Sequence, residues 1–492
     1  MGSKREISKN ISILALPKVA KFIVGIVNAK VVALLLGPLG SGIINQLQVN
    51  LQNIANFSKA GFGDGVVKLI AENKAKNELA EIREILYTYF LLVSFTTLIV
   101  FITGIILKEE VSVFIFGDAS FSNYFLVAFF SLPVIILSSS SFLVLKSFKE
   151  IKYLAKSEFI SVIASLLLLF PLLYFLNEFG AVLYVTLGYF VSFLAYQYFA
   201  RYKVLQNYGI TIYSIKNAKF NRKYFNILLS FAGATLLIIG ITTFTEVYSR
   251  TLVVTNLSIS SIGIYSPILK WEALFTGFIL PSMTTYLYPR ISESKTNSEI
   301  VSIVNDTFRI MTFGTTIFVI MVIASRKLII PLFYTDEYLD AIEYIPYHFF
   351  GLLLTVWYKC FKQTFAPTGR LKQLVWFEMF NNVLIIGLLW YFIPIYGLWG
   401  WLLRFTVAPL VLFLFYTSYS RKAFEFHFNK ENISLLIYSI LSIASIISLI
   451  ILDLSDFTIY LVSSIFLLGF YFHLTLSERK FILNKISAFV GK

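Results

Sequence analysis

The sequence predicts an all-α polytopic membrane protein with about fourteen transmembrane helices. Hydrophobic residues make up 58% of the 492 residues and charged residues only 14%, and the mean hydropathy is +0.78. A soluble globular domain carries roughly 25% charged residues. Apolar runs of about 20 residues, the length that crosses a hydrocarbon core of about 30 Å, recur from end to end of the chain.

The apolar runs define the predicted spans in chain order, with short polar connections between them. The first run follows a basic start, but it is too long for a cleavable signal and lacks a small-residue cleavage site, so we expect it to stay as a helix. The runs are 10–36, 41–70, 84–107, 121–146, 153–176, 179–200, 223–256, 260–290, 304–325, 343–366, 372–394, 397–420, 432–452 and 456–477.

Basic residues are concentrated on alternate connections. With the N-terminus in the cytoplasm, cytoplasmic segments hold 29 of the 41 Lys and Arg residues, whereas the opposite loops hold only Lys108, Arg326 and Lys327. The positive-inside rule then predicts an even number of spans with both termini in the cytoplasm. The net charge of +14 follows mostly from loops that face anionic membrane lipids, so nucleic acid is not an expected partner.

The longest cytoplasmic connection divides the chain into two predicted halves. A shift of 221 residues places Gly42-Ile43-Ile44 on Gly263-Ile264-Tyr265, and Ile70-Ala71-Glu72 on Ile291-Ser292-Glu293. Two apolar helices can agree this far by chance, but a transporter built from two repeats would show the match at this place. We expect two pseudo-symmetric six-helix lobes at 1–200 and 223–420, a linker at 201–222, and two further helices with a cytoplasmic C-terminus at 421–492.

Several classes of chemistry lack the residues they need. Cys360 is the single cysteine, and His348, His427 and His473 lack metal-ligand spacing, so we expect no metal site and no cofactor. No phosphate-binding loop for ATP is present. The predicted outer loops are short, the longest being about 326–342. They leave no room for the catalytic loop of a membrane glycosyl polymerase or transferase, so enzymatic activity is not expected.

Nine cations lie inside the apolar runs, against four acids counted there. A cation in hydrocarbon costs roughly 2.5 to 3.5 kcal/mol on insertion scales, so the excess of positive charge indicates an anionic cargo. For Lys359 and Lys362, snorkelling to the headgroups is a competing interpretation. The cations are Lys18, Lys21, Lys30, Lys59, Arg250, Lys270, Lys359, Lys362 and Arg404, and the acids are Asp64, Glu246, Glu272 and Glu378.

The cations of the first run cannot all point into one cavity from a straight helix. Lys18 and Lys21 share a face, and Lys30 lies about 180° around the helix from Lys21. Either the run bends, with Pro17 and Gly25 as candidate points, or Lys30 faces another helix or the outer interface. Six cations are candidate substrate-binding residues: Lys18, Lys21, Lys30, Lys59, Arg250 and Lys270.

A polar stripe follows the second run. Its side chains fall within an arc of about 80°, which lipid cannot accept. The stripe predicts a hydrated groove that can hydrogen-bond sugar hydroxyls. Amide packing against a neighbouring helix, worth about 0.6 kcal/mol per bond, is the alternative. The stripe consists of Asn45, Gln48, Gln52, Asn56 and Lys59.

Glu246 and Arg250 are four residues apart on the seventh run and can form an ion pair. Arg250 also lies one position from residue 251, which the 221-residue shift makes equivalent to Lys30. An arginine fork binds two oxygens of a phosphate at once, so a clamp on an anion is the other interpretation. A coupling ion would need a carboxylate, and the candidate coupling residues are Asp64, Glu246 and Glu272.

Four pieces of the chain are distinctive in their order and spacing. They are the spacing of Lys21 and Lys30 before Gly37-Pro38-Leu39-Gly40, the segment Ala60-Gly61-Phe62-Gly63-Asp64-Gly65-Val66-Val67-Lys68, Arg250, and Tyr286-Leu287-Tyr288-Pro289-Arg290-Ile291-Ser292. Together they resemble the Wzx-type polysaccharide flippases of the multidrug/oligosaccharidyl-lipid/polysaccharide (MOP) exporter superfamily, and the resemblance extends over essentially the full chain.

The resemblance implies a V-shaped pair of lobes that moves an undecaprenyl-diphosphate-linked oligosaccharide, such as an O-antigen repeat unit, by alternating access. The movement would run from the cytoplasmic to the periplasmic leaflet of a bacterial inner membrane, with cavity cations on the diphosphate. A polysaccharide polymerase and a chain-length regulator are the expected protein partners. Two other transporters remain as alternatives. A flippase for lipid II, the peptidoglycan precursor, would also need cations, whereas a MATE-type multidrug exporter for organic cations would need buried carboxylates.

Overall fold

The computed structural model describes residues 2–473, with side chains described at 20–21, 23–63, 65–230, 232–233 and 236–473. Within 2–473 the regular secondary structure is helical, and no strand occurs. By length and composition, ten helices among the described residues could cross a membrane. The predicted class, an all-α polytopic membrane protein, is confirmed.

Seventeen α-helices follow one another in this part of the chain. They are α1 (Gly2–Ser58), α2 (Phe62–Ala75), α3 (Leu79–Ile106), α4 (Lys108–Phe116), α5 (Ser122–Phe129), α6 (Leu132–Ser147), α7 (Ile151–Tyr198), α8 (Ile212–Lys216), α9 (Arg222–Asn256), α10 (Ile259–Glu293), α11 (Asn297–Ala324), α12 (Arg326–Phe333), α13 (Ala341–Lys362), α14 (Leu371–Tyr396), α15 (Leu398–Phe424), α16 (Lys430–Ile451) and α17 (Asp456–His473).

Two of these helices each hold two predicted spans. Helix α1 is interrupted at Gly37, where φ is 59° and ψ is −157°, and α7 is interrupted at Asn177, where φ is 49° and ψ is −127°. Both breaks lie where the apolar pattern predicts a turn between spans. Helices α10 and α13 coincide with the eighth and tenth runs but are not among the ten candidate spans, so the count of fourteen stays a prediction.

The second predicted span is not one continuous helix. Helix α1 ends at Ser58 and α2 begins at Phe62, and between them Ala60 and Gly61 adopt the left-handed conformation, with φ of 49° and 72°. A left-handed residue with a Cβ costs roughly 1 to 2 kcal/mol, whereas glycine adopts it freely. The expectation of an unbroken helix over 41–70 is therefore wrong at 59–61, because Gly61 permits a turn inside the apolar run.

Packing divides the chain into two compact units. The first unit holds the residues up to Ser266 together with Phe333–Tyr338, and the second holds Pro267–Leu332 and the residues from Leu339 onward. Helix α9 thus packs with the helices that precede it, through contacts with α1, α2, α3 and α4. The division into two repeated lobes, at 1–200 and 223–420 with a linker at 201–222, stays a prediction.

Within the first unit, the two glycines paired by the 221-residue shift make reciprocal close contacts. A Cβ on Gly42 would lie 2.4 Å from the Ile259 carbonyl oxygen, and a Cβ on Gly263 would lie 1.8 Å from that of Pro38. The same shift carries Pro38 to position 259 and Gly42 to Gly263. Reciprocity of this kind is what a two-fold relation between helices produces.

Within the second unit, α13 lies at the centre and packs against α11 and α15. The buried rings of Phe308, Trp357 and Phe361 fill the space between these helices. Gly351 allows the closest approach, because a Cβ there would lie 1.7 Å from the Phe405 carbonyl oxygen. Small residues permit such helix contacts in membranes, where packing supplies much of the association energy.

We expect Gly263→Ala and Gly351→Ala to destabilise the protein by about 1 to 3 kcal/mol each, the range typical of overpacking, because the new methyl group meets a backbone carbonyl that cannot move aside. Gly188 and Gly387 have open space around their Cβ positions. Gly188→Ala and Gly387→Ala are therefore matched controls for the first and second unit. Thermal unfolding in detergent measures the four variants, and equal melting temperatures for all four would contradict the close contacts.

Candidate functional site

The first unit contains an open cavity of about 780 Å³. Five helical segments contribute to its wall: the end of α1, the turn at 59–61 with the start of α2, the middle of α6, the end of α7 and α9. Among the side chains that the structure describes, the wall carries one cation and one carboxylate, together with amides and hydroxyls. Its polar residues are Asn53, Asn56, Lys59, Ser138, Ser139, Tyr196, Thr242, Thr243 and Glu246.

Lys59 is the cation of this wall. It follows directly after the last residue of α1, where a positive charge interacts favourably with the helix dipole. Its Nζ lies 3.5 Å from Ser139 Oγ, a long contact that supplies little stabilisation. Among the described residues no carboxylate forms an ion pair with Lys59. The half-buried ammonium thus faces the cavity without a fixed counter-charge, so an anion can bind it there.

Arg250 is paired inside the first unit. Its side chain is 5% exposed, and Nε donates to Glu246 Oε1 at 2.8 Å. Its Nη1 donates to Asn45 Oδ1 at 2.6 Å and lies 3.4 Å from Gln46 Oε1. Glu246 lines the cavity, whereas Arg250 does not. The geometry matches the ion-pair interpretation, with Arg250 tying α9 to α1 and fixing the carboxylate at the wall.

The predicted polar stripe divides between several environments. Asn56 and Lys59 line the cavity, and Gln52 Nε2 donates to Asn56 Oδ1 at 3.1 Å. Gln48 and Gln52 are exposed, whereas Asn45 is engaged by Arg250. The stripe thus leads to the cavity, but the structure places only its last two residues on the wall.

Sequence reasoning missed several polar residues of the same helix and its neighbours. Asn53 lines the cavity and could have been found, because it lies three residues before Asn56. Buried Gln46 instead donates from Nε2 to the Ile115 carbonyl at 2.7 Å. The wall hydroxyls on α6 and α9 carry no signal in sequence, since serine and threonine commonly bond to the carbonyl four residues earlier in a helix.

The other cations of the first run lie apart from this cavity. Lys21 Nζ is 3.9 Å from Glu158 Oε1, with 68% of the Lys21 side chain exposed. Glu158 falls inside the predicted span 153–176, so the count of four acids in the spans was wrong by omission. Lys30 Nζ donates to the Tyr334 carbonyl oxygen. The side chains of Lys18 and Asp64 lie outside the described residues.

In the second unit, two further carboxylates are partnered. Glu272 Oε2 lies 3.1 Å from Nε2 of His348, which is 1% exposed. Lys362 Nζ lies 2.8 Å from Glu378 Oε1, so an ion pair accounts for this lysine as well as snorkelling does. Lys270 is half-buried on α10. Among the described residues, no three His, Cys, Asp or Glu side chains are grouped as metal ligands.

Solved structures of MOP superfamily transporters share this fold. The lipid II flippase MurJ in an inward closed conformation matches with a TM-score of 0.72 and 17% identity, covering 93% of this chain and 98% of MurJ. A multidrug resistance MATE family transporter in an inward-facing conformation matches with a TM-score of 0.70 and 14% identity, covering 85% and 99%. A MOP superfamily transporter from Pyrococcus furiosus matches with a TM-score of 0.63 and 12% identity, covering 85% and 96%.

Sequence comparison identifies the family. No curated protein matches the chain in sequence. Residues 7–295 match the sequence profile of a family described as polysaccharide biosynthesis protein. The match includes most of α1, the turn at 59–61, Arg250 and the Tyr-Leu-Tyr-Pro-Arg motif of α10, and it covers the segments that carried the predicted resemblance. Since the match covers more than half of the 492 residues, the chain belongs to the polysaccharide biosynthesis protein family.

Proposed function

We propose that this multi-pass membrane protein is a flippase that moves an undecaprenyl-diphosphate-linked oligosaccharide, such as an O-antigen repeat unit, between the leaflets of a bacterial inner membrane. Both termini would lie in the cytoplasm, and the chain would act without catalysis by alternating access. Its family belongs to polysaccharide biosynthesis, and its fold is that of MOP transporters, one of which is a lipid II flippase. A polysaccharide polymerase and a chain-length regulator are the proposed partners.

The observation that carries the proposal is Lys59 on the cavity wall. Its ammonium has no carboxylate partner among the described residues, whereas the structure pairs Lys21, Arg250 and Lys362 with carboxylates. A cation kept in an apolar environment is costly unless it binds an anion. The diphosphate of the lipid carrier would supply that anion, because phosphate oxygens accept charge-assisted hydrogen bonds from ammonium groups.

The rest of the wall suits a sugar. Amides and hydroxyls from α1, α6 and α9 present donors and acceptors that a hydroxyl-rich ligand can bind. Glu246 adds one strong acceptor, held in place by Arg250. A pocket for an organic cation would be expected to carry an excess of carboxylates, whereas the described side chains of this wall include one acid and one base.

The break at 59–61 supports the placement of the site. Substrate sites of membrane transporters are often formed where a transmembrane helix is discontinuous, because backbone polar groups freed by the break can face a hydrated cavity. Gly61 and Gly63 lie on the cavity wall at this break. The coupling residue stays a proposal: Glu246 is occupied by Arg250 and Glu272 by His348, and Asp64 is the third candidate.

We expect Lys59→Ala to abolish surface polysaccharide and to reduce flipping of the lipid-linked oligosaccharide in proteoliposomes by about 10 to 100-fold, since one charge-assisted contact is worth roughly 1.5 to 3 kcal/mol. Lys59→Arg keeps the charge and should retain part of the activity. Lys76→Ala, on an exposed lysine of a predicted cytoplasmic connection, is the matched control. Full activity of Lys59→Ala would contradict the site, and faster flipping of lipid II than of the oligosaccharide carrier would assign the protein to the alternative cargo.

We expect Arg250→Ala to reduce both polysaccharide and thermal stability, because the Glu246 carboxylate and the Asn45 amide lose their donor. The expected loss in the free energy of unfolding lies at the lower end of about 3 to 5 kcal/mol, since Glu246 remains partly exposed. The double variant Glu246→Gln, Arg250→Gln removes both charges and should recover stability and part of the activity. A stable but inactive double variant would show that the charge of Glu246 or of Arg250 is needed for transport itself and not only for stability.

We expect cysteines placed at Gln52 and Asn56, in a chain with Cys360→Ala, to react with small water-soluble thiol reagents, because thiolate formation needs water. Cysteines at Leu51 and Ala55 should stay unreactive, since these positions are 1% and 0% exposed. The labelling rates, measured in membranes, compare two faces of one helix. Equal low labelling at all four positions would favour packed amides over a hydrated groove.

A further inference from the structure

A six-residue segment, Phe333–Tyr338, belongs to the first unit although the chain before and after it belongs to the second. We call this segment the strap. It begins at the last residue of α12 and ends in a short 3₁₀ turn before α13. It lies in the longest of the predicted outer connections. The chain therefore leaves one compact unit, attaches to α1 of the other, and returns.

Three contacts attach the strap to α1 on both sides of its break at Gly37. Lys30 Nζ donates to the Tyr334 carbonyl oxygen. On the other side, Ser41 Oγ and the Tyr338 hydroxyl are 2.5 Å apart. Between them, a Cβ on Gly37 would lie 2.4 Å from a Glu337 carboxylate oxygen, so the Glu337 side chain covers the glycine. The attachment spans the turn between the first two predicted spans.

Two tyrosines anchor the strap by burial. Tyr334 is 2% exposed and Tyr338 is 0% exposed, and their rings lie 5.1 Å apart. An aromatic side chain buries a large apolar area, and only a few of its torsion angles lose freedom on burial. The anchors and the two hydrogen bonds explain why the strap packs with the first unit. The segment is short, so its attachment rests on this small set of contacts.

One buried polar atom of the attached strap lacks a hydrogen-bond partner within the described part of the chain. Thr335 Oγ1 is buried and has no hydrogen-bond partner among the described residues, and a buried hydroxyl without a partner opposes the attached state. Asp336 and Glu337 are exposed, so water already solvates two of the six residues of the segment. A segment that detaches and reattaches needs an attached state of limited stability.

We propose that the strap is a releasable closure over the break of α1 at Gly37, held in part by Lys30, and that it must detach in each transport cycle. Lys30 then holds the strap through the Tyr334 carbonyl oxygen and does not bind the cargo diphosphate. The proposal rests on the proposed transport function for its role in the cycle, although attachment and release can be measured without cargo.

Reversible cross-linking tests the requirement for release. In a chain with Cys360→Ala, cysteines are introduced by Ser41→Cys and Tyr338→Cys and joined by a bifunctional methanethiosulfonate that spans the two positions. We expect cross-linking to reduce flipping of the lipid-linked oligosaccharide by about tenfold or more, because opening steps often limit transport and turnover. Reduction of the cross-link should restore it. Each single cysteine treated with the same reagent is the control. Full flipping in the cross-linked protein would overturn the proposal.

A second measurement needs no cargo. Ser41 is 4% exposed in the attached state, so a cysteine at this position should react with a membrane-impermeant maleimide only when the strap is detached. We expect Lys30→Ala to raise the labelling rate about threefold or more, since it weakens attachment and local opening sets the rate. Asp336→Asn, on an exposed strap residue, should leave it unchanged. No rise with Lys30→Ala would overturn the proposal, whereas absent flipping in the unmodified protein would count against the transport function alone.

Discussion

The structure depends on how charge is accommodated inside apolar helices. An ion without a partner in a low-dielectric interior is costly, so buried ions are paired or hydrogen-bonded. The chain follows this constraint with local and long-range pairs: Arg250 with Glu246 on one helix, Lys362 with Glu378 between two, and His348 with Glu272. These pairs fix side chains that would otherwise exclude close helix packing. Against this background Lys59 stands out, because the only polar contact of its ammonium group among the described residues is a long one to Ser139 Oγ.

Backbone breaks place the functional residues. The turn at 59–61 ends α1 and sets Lys59, Gly61 and Gly63 on one wall. The break at Gly37 redirects the same helix and exposes the surface to which residues 333–338 attach. Both breaks use glycine in a left-handed conformation that other residues adopt only at a cost. Glycine also permits the reciprocal approach at Gly42 and Gly263, so one residue type controls both helix direction and helix separation.

The comparisons with solved structures establish the fold of this protein but not its cargo. TM-scores of 0.63 to 0.72 with MOP transporters establish a common fold, and a fold alone does not determine the cargo. The cargo proposal therefore rests on the family of polysaccharide biosynthesis proteins and on the chemistry of one wall. Arg250 illustrates the difference between residue type and role. The same guanidinium that could clamp a phosphate is occupied by Glu246, Asn45 and Gln46.

The sequence by itself determined the all-helical membrane class, the family, the turn at Gly37 and the polar stripe that leads to Asn56 and Lys59. These follow from composition, periodicity and glycine placement, which act within one helix. Only the tertiary structure decided which cations are paired, because Lys21 meets Glu158 and Lys30 meets Tyr334 across separations that no local pattern records. The tertiary structure also shows the break within 41–70, where Gly61 permits a turn that the apolar periodicity does not predict. It further shows that Asn53 and hydroxyls of α6 and α9 line the cavity. Long-range contacts of this kind arise from helix packing, which the sequence of a single helix does not specify.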